Sequence, residues 1–184
     1  INEELKICEE DYEALKREIR ATNPAYANLK HPEIITLKEA EGKLLDDETA
    51  FFAYSIGKEN SYAFAVTKRG LKIFAVPARK EIQKQISDHL KVITDKESRD
   101  FHTGHNLFKE LVLPGLDKNI KKIIFIPDDF LYFLPFETLL INKEENSWLV
   151  KEYKIAYAPS ISSLREIIQR KKQKGIKPRR DILA

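Results

Sequence analysis

The sequence predicts an α/β fold: an N-terminal helix, an antiparallel β-meander, and then alternating helices and strands in a mixed sheet. Three observations lead there. Apolar residues recur with a helical period from Ile1 to Ile19, the period drops to two across the stretch from Phe51 to Ala75, and beyond Pro77 helical stretches alternate with short apolar runs. The chain has 184 residues, of which 42% are hydrophobic and 33% charged. That is enough for one domain with its own core and an appendage, and it excludes a disordered or collagen-like chain.

Ile1, Leu5, Cys8, Tyr12, Leu15 and Ile19 follow one another at alternating steps of four and three, with charges between them. This spacing predicts an amphipathic helix over residues 1–23, ended by Asn23-Pro24. So narrow a seam fits against another helix, either one before Ile1 or an element of the same domain. Thr36-Leu37-Lys38-Glu39 reads as a capping box, and Leu37, Ala40 and Leu44 form the inner face of the helix it starts. After Asp46-Asp47, Phe52, Tyr54 and Ile56 alternate with Phe51, Ala53 and Ser55, which is a strand pattern. Gly57-Lys58-Glu59-Asn60 and Lys68-Arg69-Gly70 have hairpin length and join it to runs carrying Tyr62, Phe64 and Val66, then Leu71, Ile73 and Ala75. The three strands make a meander.

Ile82, Ile86, Leu90 and Ile93 return to helical spacing. Phe101, His105, Phe108, Leu111 and Val112 share the face of a further helix that stops near Pro114-Gly115. The continuous run from Ile123 to Ile126 predicts a strand buried on both faces, and the run from Tyr153 to Ala158 a second one. Ser160 stands where it can cap a last helix with Ile161, Leu164, Ile167 and Ile168 inside. No internal repeat is visible. The one biased segment is the basic stretch Arg165, Arg170, Lys171, Lys172, Lys174, Lys177, Arg179 and Arg180.

The net charge of +3 is the remainder of 32 basic and 29 acidic side chains, so no global field attracts nucleic acid. No apolar run approaches the roughly 18 residues that cross a bilayer. One cysteine cannot form an internal disulfide or a cysteine-rich zinc site, and the start of the chain lacks the signal-peptide pattern, so the expected location is the cytoplasm. The chain opens at Ile1 inside a helical pattern and stops at Asp181-Ile182-Leu183-Ala184, where an apolar run has just begun. Both ends read as cuts in a longer protein.

From about Leu44 onward the sequence resembles the CHAT domain, a caspase-like and separase-like protease domain usually found behind tetratricopeptide repeats in prokaryotic proteins. Four segments carry the resemblance: Thr49 to Ile56 with Tyr62 to Thr67; Leu107-Phe108-Lys109-Glu110-Leu111-Val112-Leu113-Pro114; Ile123-Ile124-Phe125-Ile126-Pro127-Asp128 with Leu131-Tyr132-Phe133-Leu134-Pro135-Phe136-Glu137-Thr138-Leu139; and Tyr153 to Ser160, continuing to Leu164. The sequence departs from the family after Pro127-Asp128, where Asp129-Phe130 replaces a small glycine, and only glycine takes positive φ without cost. The resemblance implies that the catalytic histidine and cysteine lie in the caspase-like half that follows this chain. The portion present is then similar to the amino-terminal, pseudo-caspase-like half, which packs beside the protease half and connects it to the repeats.

Taken from the residues themselves, nucleophilic chemistry finds no support. Cys8 lies on the apolar seam of the first helix among Glu4, Glu9, Glu10 and Asp11, a setting that disfavours a thiolate and suits a buried structural thiol. His102 and His105, spaced i, i+3, could face one metal ion, but no acidic or cysteine partner stands near in sequence, and His105 shares its face with Phe101 and Phe108 as a hydrogen-bonded core or interface histidine would. His89 and His31 receive no function. Asp128-Asp129 follows a strand and a proline, where aspartate serves turns. Ser160 has no glycine elbow around it. The basic stretch could contact phosphates, but cations also complement a helix C-terminus, and no aromatic residues interleave to stack on bases.

The expectation is therefore a linker or repeat-proximal helix over 1–23 and, over 34–184, the amino-terminal part of a CHAT domain truncated before its catalytic half. No catalytic, cofactor-binding or metal-ligating residue is expected in it. Leu131, Phe133, Leu134 and Phe136 are four large apolar groups in six positions, too many for a bare loop, and mark a structural and contact segment. The expected partners are the other half of the same domain, upstream tetratricopeptide repeats, and a regulatory or substrate protein, with no membrane and no nucleic acid. The intact protein would be a caspase-type cysteine endopeptidase regulated through its repeats; the alternative is a scaffold without protease activity, or a module touching nucleic acid through the basic stretch.

Overall fold

The computed structural model describes residues 2–24, 26, 34–97, 102–142 and 147–173. The chain divides into two compact units. One holds helix α1 (Asn2–Thr22) and the last helix, α6 (Ile161–Gln173). The other, from Thr36 to Ser160, holds the sheet.

In the first unit, α1 has the predicted bounds but not the predicted burial. Leu5, Tyr12 and Leu15 are all more than half exposed, and among the described residues of the seam only Ile19 is half-buried. Cys8 is a free, exposed thiol rather than a buried one, because the amphipathic seam that holds it faces solvent. On α6, Ile161, Leu164 and Ile168 are half-buried while Ile167 is exposed, and the buried position is Glu166, ion-paired to Arg165 at 3.0 Å. The Ile35 amide donates to Ser162 Oγ at 3.2 Å. His31, the residues of the basic stretch from 174 onward and the side chains of Lys171 and Lys172 lie outside the described residues.

In the second unit, helix α2 (Leu37–Lys43) starts with the capping box read from the sequence: Thr36 Oγ1 accepts from the Glu39 amide, and the Glu39 carboxylate accepts from the Thr36 amide. Ala40 is buried, but Leu37 is exposed and Leu45 takes the inner position instead. Strands β1 (Thr49–Ser55), β2 (Ser61–Thr67) and β3 (Gly70–Val76) form the meander, with helices α3 (Arg79–Thr94) and α4 (His102–Leu111) after it. Strands β4 (Lys122–Ile126) and β7 (Lys154–Tyr157) complete a five-stranded sheet of order β3-β2-β1-β4-β7. The β1–β4 and β4–β7 pairs are parallel and the meander antiparallel, so the sheet is mixed. Among the described residues no helix is long and apolar enough to cross a membrane.

Side-chain alternation sends Ala50, Phe52 and Tyr54 to one face with Ala63, Ala65, Ile123 and Phe125. These belong to one core cluster with Ile82 and Ile86 of α3 and Leu107, Phe108 and Leu111 of α4. The β4 run is buried on both faces, as its sequence predicts. The β7 run is not: among the described residues it lies at the sheet edge, with Ala156 buried and Lys154 and Tyr157 exposed. Between β4 and β7 the chain makes two 3₁₀ turns, Asp129–Phe133 and Phe136–Thr138, then the small ribbon of β5 (Leu140–Asn142) and β6 (Ser147–Trp148) and the short helix α5 (Leu149–Glu152).

His89, fully buried on α3, ties three elements together. Its Nε2 lies 2.8 Å from Thr138 Oγ1 and its Nδ1 3.0 Å from Thr103 Oγ1. The Thr138 hydroxyl donates to the Pro135 carbonyl, so it can only accept from the imidazole. The neutral ring is thus the Nε2–H tautomer, with Nδ1 accepting from Thr103. Gly104 on α4 lies against this ring. A Cβ there would meet His89 Cε1 at 2.9 Å and the Thr138 carbonyl at 3.2 Å. Gly104→Ala is therefore expected to destabilise the unit by about 1 to 3 kcal/mol of overpacking, reduced by up to about 1 kcal/mol of gained helix propensity. Denaturant unfolding measures this, and a stabilised variant would refute the contact.

Burial lowers the His89 pKa below its ordinary value. The folded state then binds fewer protons than the unfolded chain, so the stability from this histidine is complete above about pH 6.5 and is lost as pH falls towards the folded-state value. Unfolding free energy should decline as pH drops from about 6.5 to 5, at no more than about 1.4 kcal/mol per pH unit for one group. In His89→Gln that slope should flatten. A wild-type profile level across this range would contradict the assignment.

Candidate functional site

The parallel strands β1 and β4 end side by side, and the segment leaving β4 is pinned across that edge. The Asp128 carboxylate accepts from the Ile56 amide at 2.8 Å, just beyond β1. Asp129 carries a positive φ of 50°. The chain thus enters the left-handed region that glycine takes most readily, and aspartate is among the few other residues that tolerate it. The Asp129 carboxylate grips Arg79, at the start of α3, through both oxygens: Nε to Oδ2 at 2.5 Å and an Nη2 contact to Oδ1 at 3.2 Å. The same guanidinium lies 5.5 Å from the Phe130 ring. Both aspartates therefore serve the turn, and neither carboxylate is paired with the other for acid–base work.

The turn that follows separates its four large apolar residues. Leu131, Leu134 and Phe136 enter the core at 0%, 2% and 0% exposure, whereas Phe133 is 66% exposed and its neighbour Tyr132 61%. The 3₁₀ geometry explains the split, because side chains at i and i+3 eclipse, so that Leu131 and Leu134 share one direction. Phe136 stacks on Phe125 with centroids 3.9 Å apart and lies 5.8 Å from Tyr54. Its amide donates to the Tyr157 hydroxyl at 3.0 Å, and that hydroxyl donates to Glu137 Oε2 at 2.7 Å. Burial and the neighbouring Glu137 carboxylate push the Tyr157 pKa well up, and burial does the same to Tyr54, whose hydroxyl donates to the Leu111 carbonyl at 3.0 Å. Both phenols stay protonated and act as hydrogen-bond donors.

Phe130 and Phe133, with ring centroids 6.4 Å apart, form one wall of a groove along α3. It consists of two hollows of about 500 and 510 Å³ that share Gln83 and Phe130. Lys58, Glu59, Arg79 and Lys80 line one end; Ile86, Leu90 and Phe133 line the other.

Among the described residues no group of three or more His, Cys, Asp and Glu side chains gathers in metal-binding geometry. His105 is half-buried, and its Nδ1 donates to the Leu140 carbonyl at 3.0 Å, anchoring α4 to β5. His102, one turn before it, is exposed, and Phe101 lies outside the described residues. Ser160 stands immediately before α6. The His89 network and the Arg79–Asp129 clasp are missed by sequence reasoning, since each joins residues far apart in the chain; the one local signal was the aspartate replacing glycine at a turn.

The family model of the CHAT domain matches residues 102–184. Three of the four segments that carry the resemblance fall inside the match, including the turn from Pro127 to Leu139; the β1–β2 hairpin lies before it. No curated protein matches the chain.

Proposed function

We propose, from the match of residues 102–184 to the family model of the CHAT domain, that the chain is the non-catalytic, amino-terminal portion of a CHAT-domain protein of the caspase-like family, acting through protein contact. The supporting observation is the position of the single cysteine. A caspase-type peptidase needs a cysteine nucleophile, and Cys8 lies on α1, outside the matched residues and among Glu4, Glu9, Glu10 and Asp11. On this reading residues 34–184 belong to one CHAT domain, the exposed Phe133 and Tyr132 of the Asp129–Phe133 turn face its catalytic half, and the α1 seam receives a helix of upstream tetratricopeptide repeats. The intact protein is then a cytoplasmic cysteine endopeptidase controlled by a regulatory protein.

The experiment compares this chain with its intact parent on a peptide panel. The chain alone should give no turnover, while the parent should cleave and lose activity when the cysteine of its downstream half is replaced. Turnover by the chain that disappears in Cys8→Ala would overturn the reading. A parent whose downstream half lacks the histidine and cysteine would make the protein a scaffold.

A further inference from the structure

Helix α1 carries an apolar surface that the described residues leave exposed, with a row of acids set inside it. Leu5, Tyr12 and Leu15 of its seam are more than half exposed, Cys8 is exposed, and Ile7, 56% exposed, widens the surface beyond the seam. At about 100° of turn per residue, Glu4, Asp11 and Glu18 recur every seven positions in one exposed row, between Cys8 and Leu15 on one side and Ile7, Ala14 and Ala21 on the other. A helix neutralises its own charges three and four residues away, and at those distances the row meets only Ile1, Ile7, Cys8, Ala14, Leu15, Ala21 and Thr22, none of them a cation. Lys6 and Arg17 stand at that spacing from Glu3, Glu9, Glu10 and Glu13 instead, away from the row, and Lys16 holds Glu13 at 2.6 Å. Among the described residues none of the three carboxylates is ion-paired, and Arg165 of α6, in the same unit, is taken by Glu166. The opposite flank of the seam carries Glu9 and Lys16, which offset each other.

We propose that this face of α1 is the docking site of an amphipathic helix with one apolar stripe and a row of lysine or arginine along the flank that meets Glu4, Asp11 and Glu18. Such a row supplies each acid with the cation that its own helix withholds. The apolar stripe covers Leu5, Cys8, Tyr12 and Leu15 and provides most of the affinity, because exposed ion pairs add little. The charges set orientation and exclude acidic segments, since complementary charge discriminates more than it tightens. A second copy of the chain fits poorly. Paired antiparallel, it sets acid row against acid row; paired parallel, it gains Asp11 against Lys16 and forfeits the gain with Glu4 against Glu9. The proposal rests on the reading of the α1 seam as the surface that receives a repeat helix, and adds the chemistry of that helix.

The probe is a fluorescein-labelled, designed helical peptide as long as α1, 21 residues, with leucine on one stripe and lysine on one flank; a control carries glutamate for each lysine. The lysine peptide should bind this chain saturably, more weakly at 0.5 M than at 0.05 M salt because exposed charges are screened. The glutamate control should bind at least tenfold more weakly. Bound lysine peptide should slow alkylation of Cys8 by iodoacetamide, since this is the only cysteine of the chain and lies in the seam. Asp11→Lys with Glu18→Lys should weaken the lysine peptide at least tenfold and turn the preference towards the glutamate peptide. The comparison of the two peptides on the unaltered chain decides the matter even if the double variant lost helix. Equal binding of the two peptides, no saturable binding, an unprotected Cys8, or indifference to the charge reversal in a variant that keeps its helicity would overturn the proposal. Binding that appears only once residues 174–184 are removed would overturn it too, by making the chain's own basic stretch the occupant, as would a dimer in light scattering that the lysine peptide cannot dissociate. Failure here with no turnover by the chain would remove only the basic helix, whereas turnover that disappears in Cys8→Ala would remove the underlying reading.

Discussion

Phe136→Ala is expected to cost about 3 to 5 kcal/mol, the range for removing a buried phenylalanine, out of the 5 to 15 kcal/mol that hold a typical domain together. The upper part of that range applies because the surroundings cannot close over the space. Tyr54 is held by its hydrogen bond to the Leu111 carbonyl, Tyr157 by its bond to Glu137, and Phe125 by its place in the central strand β4. A cavity lined by side chains fixed in this way keeps its volume, and destabilisation grows with the volume that remains. The Phe136 amide would keep its bond to the Tyr157 hydroxyl, so the loss is one of packing and ring stacking rather than of hydrogen bonding. Urea unfolding followed by circular dichroism measures the effect. A loss under about 1.5 kcal/mol, as for a volume-conserving swap, would show that Phe136 is not the centre of the aromatic cluster.

Local physics wrote most of the fold into the sequence. The capping box at Thr36, the hairpins of the meander and the apolar run of β4 each depend on residues within a few positions of one another, and all three stand as read. What depends on neighbours distant in the chain was not legible. The edge position of β7 is a matter of which strand lies beside it, and its apolar run reads the same at an edge as at the centre. His89 meets Thr103 and Thr138 only after α4 and the second 3₁₀ turn have packed, so its role has no short-range signature. Cys8 shows the reverse error: an amphipathic period promises a partner surface but does not supply one, and the thiol stands exposed. At the candidate site, four apolar residues in six positions announced burial. Only the 3₁₀ turn could say that Leu131 and Leu134 go inward while Phe133 goes out; Phe136 enters the core from the turn that follows.

That division sets up the largest functional effect. On the proposed reading of the parent as a cysteine peptidase, Phe133→Ser in it is expected to reduce activity at least tenfold, equivalent to about 1.4 kcal/mol of lost transition-state stabilisation. Thermal unfolding of this chain alone should hardly change, because a residue 66% exposed contributes little to its own unit and surface substitutions fall mostly within about 0.5 kcal/mol. Covering the ring in the intact protein would be worth about 1.5 to 3 kcal/mol, and serine forfeits that when the halves meet. Phe136→Ser provides the contrast: it should lower stability in chain and parent alike, and the parent's activity with it, since its ring is wholly inside. In the chain alone, the exposed Phe133 and Tyr132 should favour self-association, which Phe133→Ser should reduce in light scattering, as removing an exposed apolar patch does. On the same reading, the cysteine proposed for the parent's downstream half should keep its reactivity towards a small thiol reagent in Phe133→Ser, because the substituted ring contributes no titratable group. Full parental activity in Phe133→Ser would remove the contact role and leave Leu131, Leu134 and Phe136 as core residues only.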